Sequence, residues 1–375
     1  MKLGFSNTLR WALVMAPLMS ATMVAATLFA GVARADDAAS PLRDHTIGYV
    51  LTDRHWGVYV TAGGKTECPQ GMNDGPREQF KILFPEDGTK RKLIDTQLAR
   101  EGEIWHPRLT PEPFVFKEPQ SATAIGLNLD GKAGPNDFTS PDGDKGVDNQ
   151  LYRVLGCVAH FRGPDGSLYF FGNKFAQATN YDRVLIELTN VDNLANSDNV
   201  TVTTYRGLDY LMPDAGGNDY TPGGTERADM RFGKKFISQF HGKIVDGVLT
   251  TDAQDMYFPA SMTFADVSVE HLRAARFRLK LSPTGATGLV GSYADIESFY
   301  RTLVKSWSTH HQSYGQSSAT SIYRALHRLA DAYPDPATGA NTAISSALEV
   351  RFTQAFIEHP GAKVATAAIG GRPAR

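Results

Sequence analysis

The chain has 375 residues, with 38 Lys and Arg against 40 Asp and Glu, so its formal net charge is −2. A balance so close to neutral gives no support for binding to nucleic acid or to an anionic membrane. The length is enough for a sizeable core, in one large domain or two smaller ones.

The N-terminal segment has the features of a secretory signal peptide. A basic start precedes the apolar run Trp11–Val32, and the small-residue motif Ala33-Arg34-Ala35 follows it. This order is typical of a signal cleaved on export, so we expect residues 1–35 to be removed and the mature protein to be periplasmic or secreted, without a membrane span. An uncleaved anchor is the alternative, because the apolar run is long enough to cross a bilayer.

Two cysteines are present, Cys68 and Cys157, and both belong to the expected mature chain. In an oxidising compartment a lone pair of thiols most simply forms a disulfide. Two free buried thiols, or a metal or redox pair, are the alternatives.

Between about residues 45 and 290, short apolar runs alternate with turn residues such as Pro164-Asp165-Gly166 and Asp246-Gly247. Many short strands with such turns favour a mainly β fold, an antiparallel sandwich of the jelly-roll or lectin-like type. The predicted strands are Ile47–Leu51, Val58–Thr61, Ala122–Leu129, Tyr152–Phe161, Ser167–Phe171, Arg183–Leu188, Val200–Tyr205, Phe236–Phe240, Val248–Thr251 and Ala275–Leu281.

The last of these strands has the clearest pattern. Its apolar residues Ala275, Phe277, Leu279 and Leu281 alternate with three cations. A period of two places the apolar set on one face and the cations on the other. The basic face is either a solvated sheet surface or a platform for an anionic ligand.

Near residue 291 the pattern changes to helical. The spacing predicts a helix from Ile296 to Trp307 and a second over Thr320–Tyr333, while Ala343–Ile357 fits either a helix or a strand. We therefore expect a β-rich domain over residues 36–290, a C-terminal helical segment packed on it over 291–360, and a disordered tail over 361–375.

An acidic loop occupies residues 128–149. Its Asp residues are separated by Gly and Pro, and short carboxylates on a flexible loop are suited to Ca²⁺, which takes six to eight oxygen ligands. The candidate ligands are Asp142, Asp144 and Asp148, with Asp130 and Asp137 as weaker candidates.

Residues 142–149 resemble the calcium loops of thrombospondin type 3 and EF-hand-like repeats. The resemblance implies a bound, structural calcium ion. The loop departs from the EF-hand pattern because Gly146 stands at the third oxygen ligand and Arg153 at the closing Glu. The alternative is a surface loop without an ion.

Three short motifs also resemble secreted bacterial proteins of unknown function, which implies export and no particular chemistry. They are Cys68-Pro-Gln-Gly, Gly146-Val-Asp-Asn-Gln-Leu and Asp335-Pro-Ala-Thr-Gly-Ala-Asn-Thr.

The sequence contains no convincing nucleophile motif, phosphate-binding loop or zinc-type His pair. The oxygen-rich loop from Asp214 to Glu226 is either a plain surface loop or the rim of a sugar or ion site. The sequence leads to a calcium-stabilised binding protein for a glycan or other extracellular ligand. The alternative is a hydrolase or lyase that acts on a cell-envelope or extracellular polymer.

Overall fold

The structure is a computed structural model. It describes residues 41–61, 66–73, 99–100, 103–104, 106–110, 112, 115–162, 166–217, 219–260, 268–306 and 319–360. The predicted signal peptide, residues 1–35, and the predicted tail, residues 361–375, lie outside the described residues. All described residues belong to one compact unit, Ser40–Arg375. No helix among them has the length and apolar character needed to cross a bilayer.

The described residues form fifteen strands, which we number in chain order. They are β1 (Ile47–Trp56), β2 (Ala99–Arg100), β3 (Glu103–Ile104), β4 (Phe138–Thr139), β5 (Lys145–Val147), β6 (Val184–Thr189), β7 (Ser197–Arg206), β8 (Gly224–Arg227), β9 (Ser238–Val245), β10 (Val248–Thr251), β11 (Gln254–Pro259), β12 (Val269–Leu281), β13 (Gly285–Asp295), β14 (Ala332–Pro334) and β15 (Asn341–Glu358). The described α-helices are α1 (Gln150–Leu155), α2 (Ser167–Ala178), α3 (Ile296–Ser306) and α4 (Ala319–Leu329). Short 3-10 helices occupy Pro107–Leu109, Ala159–Phe161 and Met230–Phe232.

Eight of the strands form a sheet that closes on itself. Their order around the ring is β1, β6, β7, β9, β10, β12, β13 and β15, and every neighbouring pair is antiparallel. The ring closes where β15 returns to β1, with Gly48 opposite Ala355 and Trp56 opposite Leu348. The mainly β, mostly antiparallel fold is therefore confirmed. A sandwich of the jelly-roll or lectin-like type is not, because closure of one sheet already protects the strand edges and encloses a core.

The interior of the ring is the hydrophobic core. In β12 the predicted alternation is confirmed, since Phe277 and Leu279 are buried in this core while Arg278 and Lys280 are exposed. The Phe277 ring meets Phe240 of β9 edge to face, with 5.0 Å between their centroids. Burying one such side chain contributes roughly 1.5–3 kcal/mol, and the ring contains many of them.

Two predicted strands are wrong. Tyr152–Phe161 begins in α1 and continues into a 3-10 helix, and Ser167–Phe171 is the first half of α2. In α1, Asn149 caps the helix by accepting a hydrogen bond from the Tyr152 N–H at 3.1 Å. Nearly every side chain of α1 is buried, so its apolar residues show no helical stripe that would separate it from a buried strand.

Two other predicted strands, Val58–Thr61 and Ala122–Leu129, are irregular in the structure. The first forms no strand within its described residues, and the second makes only isolated bridges to Thr139 and Asp148. The stretch left open between helix and strand belongs to β15, which lies between β13 and β1. The C-terminal part of the chain thus contributes α3 and α4 and also builds the wall of the ring.

The disulfide prediction is confirmed, because Cys68 and Cys157 are bonded and both are buried. Beside the disulfide, a buried ion pair joins Arg162 to Glu67 at 3.2 Å. Arg162 also donates to the carbonyl of Gly156 at 2.5 Å. These bonds fasten the segment around Cys68 to the chain that follows α1.

Candidate functional site

The five aspartates predicted as calcium ligands differ in their surroundings. Asp148 is buried and its carboxylate accepts hydrogen bonds from the backbone N–H groups of Leu129, at 2.6 Å, and Asp130, at 3.3 Å. Asp137 accepts from the N–H of Gly134 within the same loop. Burial raises the pKa of Asp148, against these backbone hydrogen bonds and with help from the charges of Asp130 and Asp137. The negative charges of Asp130 and Asp137 therefore oppose the ionisation of Asp148.

The other two predicted ligands face solvent. Asp142 is exposed, and Asp144 forms an ion pair with Arg278 at 3.1 Å. Within the part of the chain that the structure describes, no group of three or more His, Cys, Asp or Glu side chains has a metal-binding arrangement. Calcium stays a prediction for the acidic loop.

The acidic loop lies on the basic face of β12, so two sequence features that looked separate contact each other. Besides the ion pair of Asp144 with Arg278, Arg276 donates to the carbonyl of Asn128 at 3.4 Å. Gly291 of β13 lies below the loop, and a Cβ there would be 2.9 Å from a methyl carbon of Leu129. The absence of a side chain at this position permits the close packing.

A groove lies on the outer face of the ring beside this loop, with a volume of about 440 Å³. Its size is within the range of natural ligand sites. We call it the outer groove; its lining residues are Asp53, His55, Thr287, Gly288, Leu289, Glu349, Val350 and Arg351. They come from β1, β13 and β15, three neighbouring strands of the ring.

Strand pairing aligns the charged side chains of the outer groove. His55 lies opposite Glu349, and Asp53 lies opposite Arg351. The His55 Nε2 atom is 3.2 Å from Glu349, and its Nδ1 atom is 3.7 Å from Asp53. The first distance allows a hydrogen bond, whereas the second is that of an ion pair.

The imidazole of His55 carries a positive charge at neutral pH. Burial disfavours that charge, but the interactions with Asp53 and Glu349 are together stronger and raise the pKa of His55 to about 9. The four ionisable side chains are then two anions, Asp53 and Glu349, and two cations, His55 and Arg351. The formal charges of these four lining residues sum to zero, and Asp219, which pairs with Arg351, lies outside the lining.

Both loops that were notable in the sequence are tied to this part of the ring. Asp219, from the loop that begins at Asp214, pairs with Arg351 of β15 at 2.8 Å. Asp144, from the acidic loop, pairs with Arg278 of β12. Since β13 runs between β12 and β15, the loops are anchored on either side of the strand that carries Thr287.

A second, smaller space of about 80 Å³ lies at one end of the ring, and we call it the end cavity. Its lining residues are Arg54, His55, Trp56, Phe161, Gly172, Phe258, Ala260, Glu270, Thr302 and Leu348. Most of the wall is apolar, and Glu270 is the carboxylate among these residues. His55 lines both the outer groove and the end cavity.

Sequence reasoning predicted no site residue in the outer groove, and it predicted none of the ionisable residues of the end cavity. Had residues 343–357 been assigned to a strand, the alternation around Glu349 and Arg351 would have placed both on one face. No sequence signal joins them to Asp53 and His55, because that contact depends on the pairing of β1 with β15. Glu270 gives no signal either, since the residues around it come from β1, α2, β11 and α3, and periodicity does not indicate which elements meet.

Comparison with known proteins finds no relative of this chain. No family model, no curated protein and no solved structure matches this chain.

Proposed function

We propose that this is an exported binding protein that holds a neutral glycan, or a similar polyhydroxylated ligand, in the outer groove. The observation that supports this most is the set of two carboxylates and two cationic side chains that line the groove side by side and together offer acceptors and donors of hydrogen bonds. A balanced site of this kind favours an uncharged ligand rich in hydrogen-bonding groups over an acidic polymer or a cation. The protein would bind the ligand as a lectin does, on a mainly β scaffold.

The chemistry of the groove suits hydroxyl groups, which both donate and accept hydrogen bonds. The carboxylates of Asp53 and Glu349 accept, protonated His55 and Arg351 donate, and the Thr287 hydroxyl does both. Hydrogen bonds to charged groups are the stronger class, worth about 1.5–3 kcal/mol each.

The scaffold also favours binding. The polar side chains project from paired strands in the middle of a closed sheet, so their backbone positions are fixed before a ligand arrives. Preorganisation lowers the entropy cost of binding. Calcium at the acidic loop, which contacts β12 beside the groove, would stabilise one flank of the site, and export would place the protein where calcium is available.

The test is binding to an array of neutral and acidic oligosaccharides, followed by calorimetry with the tightest binder. We expect a neutral sugar to bind, and Arg351→Ala to raise its Kd about 10-fold or more, because a charged hydrogen bond is lost. Lys243→Ala is the matched control, since Lys243 is an exposed cation on the outer face of β9, away from the groove. Failure of every sugar to bind, or equal effects of the two variants, would overturn the proposal.

One observation favours the alternative, a hydrolase or lyase that acts on a polymer. Asp53 and Glu349 line the same groove, and glycoside hydrolysis uses a pair of carboxylates. Turnover of the bound sugar, measured by chromatography of the products, separates the two functions. An enzyme would lose turnover in Glu349→Gln and keep much of its binding, whereas a binder produces no product in either form.

A further inference from the structure

The end cavity contains a buried carboxyl group with no protein partner. Glu270 is only 6% exposed, and its side chain makes no hydrogen bond to any residue that the structure describes. Buried polar groups in proteins are normally hydrogen-bonded, and an unpartnered buried charge is costly. The carboxyl of Glu270 is therefore a candidate for satisfaction by a ligand.

The nearby cation does not serve as the partner. Arg54 forms an ion pair with Asp182 at 3.0 Å, donates to the carbonyl of Pro259 at 2.6 Å and lies 4.7 Å from the ring centroid of Phe258. Arg54 is thus committed to Asp182 and to the Pro259 carbonyl and makes no hydrogen bond to Glu270; its charge acts on that carboxyl only at a distance, against the charge of Asp182.

The third charged group near the cavity is also compensated. His55 lies between Asp53 and Glu349, so its positive charge is directed into the outer groove. Among the described residues around the cavity, ionised Glu270 therefore leaves one negative charge without a paired cation. A ligand of charge +1 would balance it.

The size and walls of the cavity restrict the ligand further. A volume of about 80 Å³ is roughly half that of a 150 Å³ apolar cavity that binds benzene, so it admits a molecule of about three non-hydrogen atoms. Trp56, Phe161 and Phe258 supply aromatic walls, which attract organic ammonium groups. A hard metal ion would need several oxygen ligands, and this wall does not supply them.

We propose that the end cavity binds a small alkylammonium ion, with the ammonium group on the carboxylate of Glu270 and the alkyl group against the aromatic wall. The ligand is an amine of about three non-hydrogen atoms. A ligand this small can gain only limited binding energy per atom, so we expect a Kd on the order of 1 mM.

Binding should depend on pH because a proton and the ammonium ion compete for the same oxygens. Burial raises the pKa of Glu270 to about 7, with Arg54 lowering it and Asp182 raising it. A simple alkylamine, like the Lys side chain with a pKa near 10.4, stays charged below pH 9. Affinity should therefore be higher at pH 8 than at pH 5.5, by about 30-fold, because the ionised fraction of a carboxyl with this pKa rises by that factor.

The experiment is calorimetry and thermal shift of the mature protein with ethylammonium chloride, and with ethanol as a neutral probe of the same size. We expect ethylammonium to bind, ethanol not to bind, and Glu270→Gln to weaken ethylammonium binding by at least 10-fold. Glu226→Gln is the control, because Glu226 of β8 is also buried, has a pKa raised by burial to about 7, and does not line the cavity. Arg351→Ala should change sugar binding and leave ethylammonium binding intact, so the two proposals fail independently.

Three results would overturn the assignment. The first is no ethylammonium binding to the wild-type protein at pH 8. The second is equal binding of ethanol and ethylammonium, and the third is equal weakening by Glu270→Gln and Glu226→Gln. The comparison of the two probes in wild-type protein needs no variant, so it decides the matter even if Glu270→Gln does not fold.

Discussion

Replacement of His55 by Gln should remove a stabilising charge from the outer groove. The pKa of His55 is about 9 in the folded protein, against about 6.5 for an ordinary His. At about 1.4 kcal/mol for each factor of ten in proton affinity, the difference corresponds to about 3 kcal/mol. The side chains of His55, Asp53 and Glu349 are 19–32% exposed, and solvent screening lowers the expected value to about 2 kcal/mol.

The sign of the effect sets the pH range. A His whose pKa is raised on folding contributes its full stabilisation below pH 6.5, and this contribution is lost as the pH rises through 9. Urea unfolding of wild-type protein and His55→Gln at pH 6, 7.5 and 9.5 measures it. We expect the difference in unfolding free energy to be about 2 kcal/mol larger at pH 6 than at pH 9.5.

The comparison with the variant is needed because other groups titrate in the same range. Burial raises the pKa of Glu226 and of Glu270 to about 7, so their ionisation also destabilises the fold as the pH rises. Those contributions cancel in the difference between wild type and His55→Gln. A difference that stays constant from pH 6 to pH 9.5 would refute the assignment of a protonated His55 between two carboxylates.

Three further predictions concern the scaffold. Cys157→Ser should lower the unfolding free energy by about 2–5 kcal/mol in denaturant titrations, because it opens a loop between residues 89 positions apart; unchanged stability would contradict this. Gly146→Ala should lower the melting temperature, since the residue has a φ of +75° and a Cβ would lie 2.1 Å from the carbonyl oxygen of Lys132; Gly143→Ala, with open space at its Cβ, is the milder control. If calcium binds the acidic loop, EDTA should lower the melting temperature of the wild-type protein and leave that of the double variant Asp142→Asn, Asp144→Asn unchanged. Mass spectrometry of the native protein should then find the metal. An EDTA effect of the same size in both proteins would point away from this loop.

The sequence predicted those elements whose pattern is set by one buried face. The alternation in β12 and the apolar stripe of α3 each follow from such a face. In contrast, α1 is buried on nearly all sides, and its composition does not separate a helix from a strand. The closure of the ring was not predictable either, because strand periodicity indicates faces and not partners.

The same reason explains why the outer groove was missed. His55 and Glu349 are adjacent only through the pairing of the first strand of the ring with the last. The acidic loop was identified from its composition, yet what it contacts, Arg278 on β12, depends on the fold. Local chemistry was thus visible in the sequence, and its assembly into sites was not.

The closure of the ring has a consequence for the order of events in folding. Trp56 pairs with Leu348, which is 292 positions later in the chain. Contacts at such separation form slowly, because the entropy cost of bringing the two strands together precedes the gain from their contacts. A ribosome would have to synthesise β15 almost completely before the ring could close, so the nascent chain stays open for most of its synthesis. If the chain is exported as proposed, late closure would leave it open for passage through a translocation channel until its last strand is made.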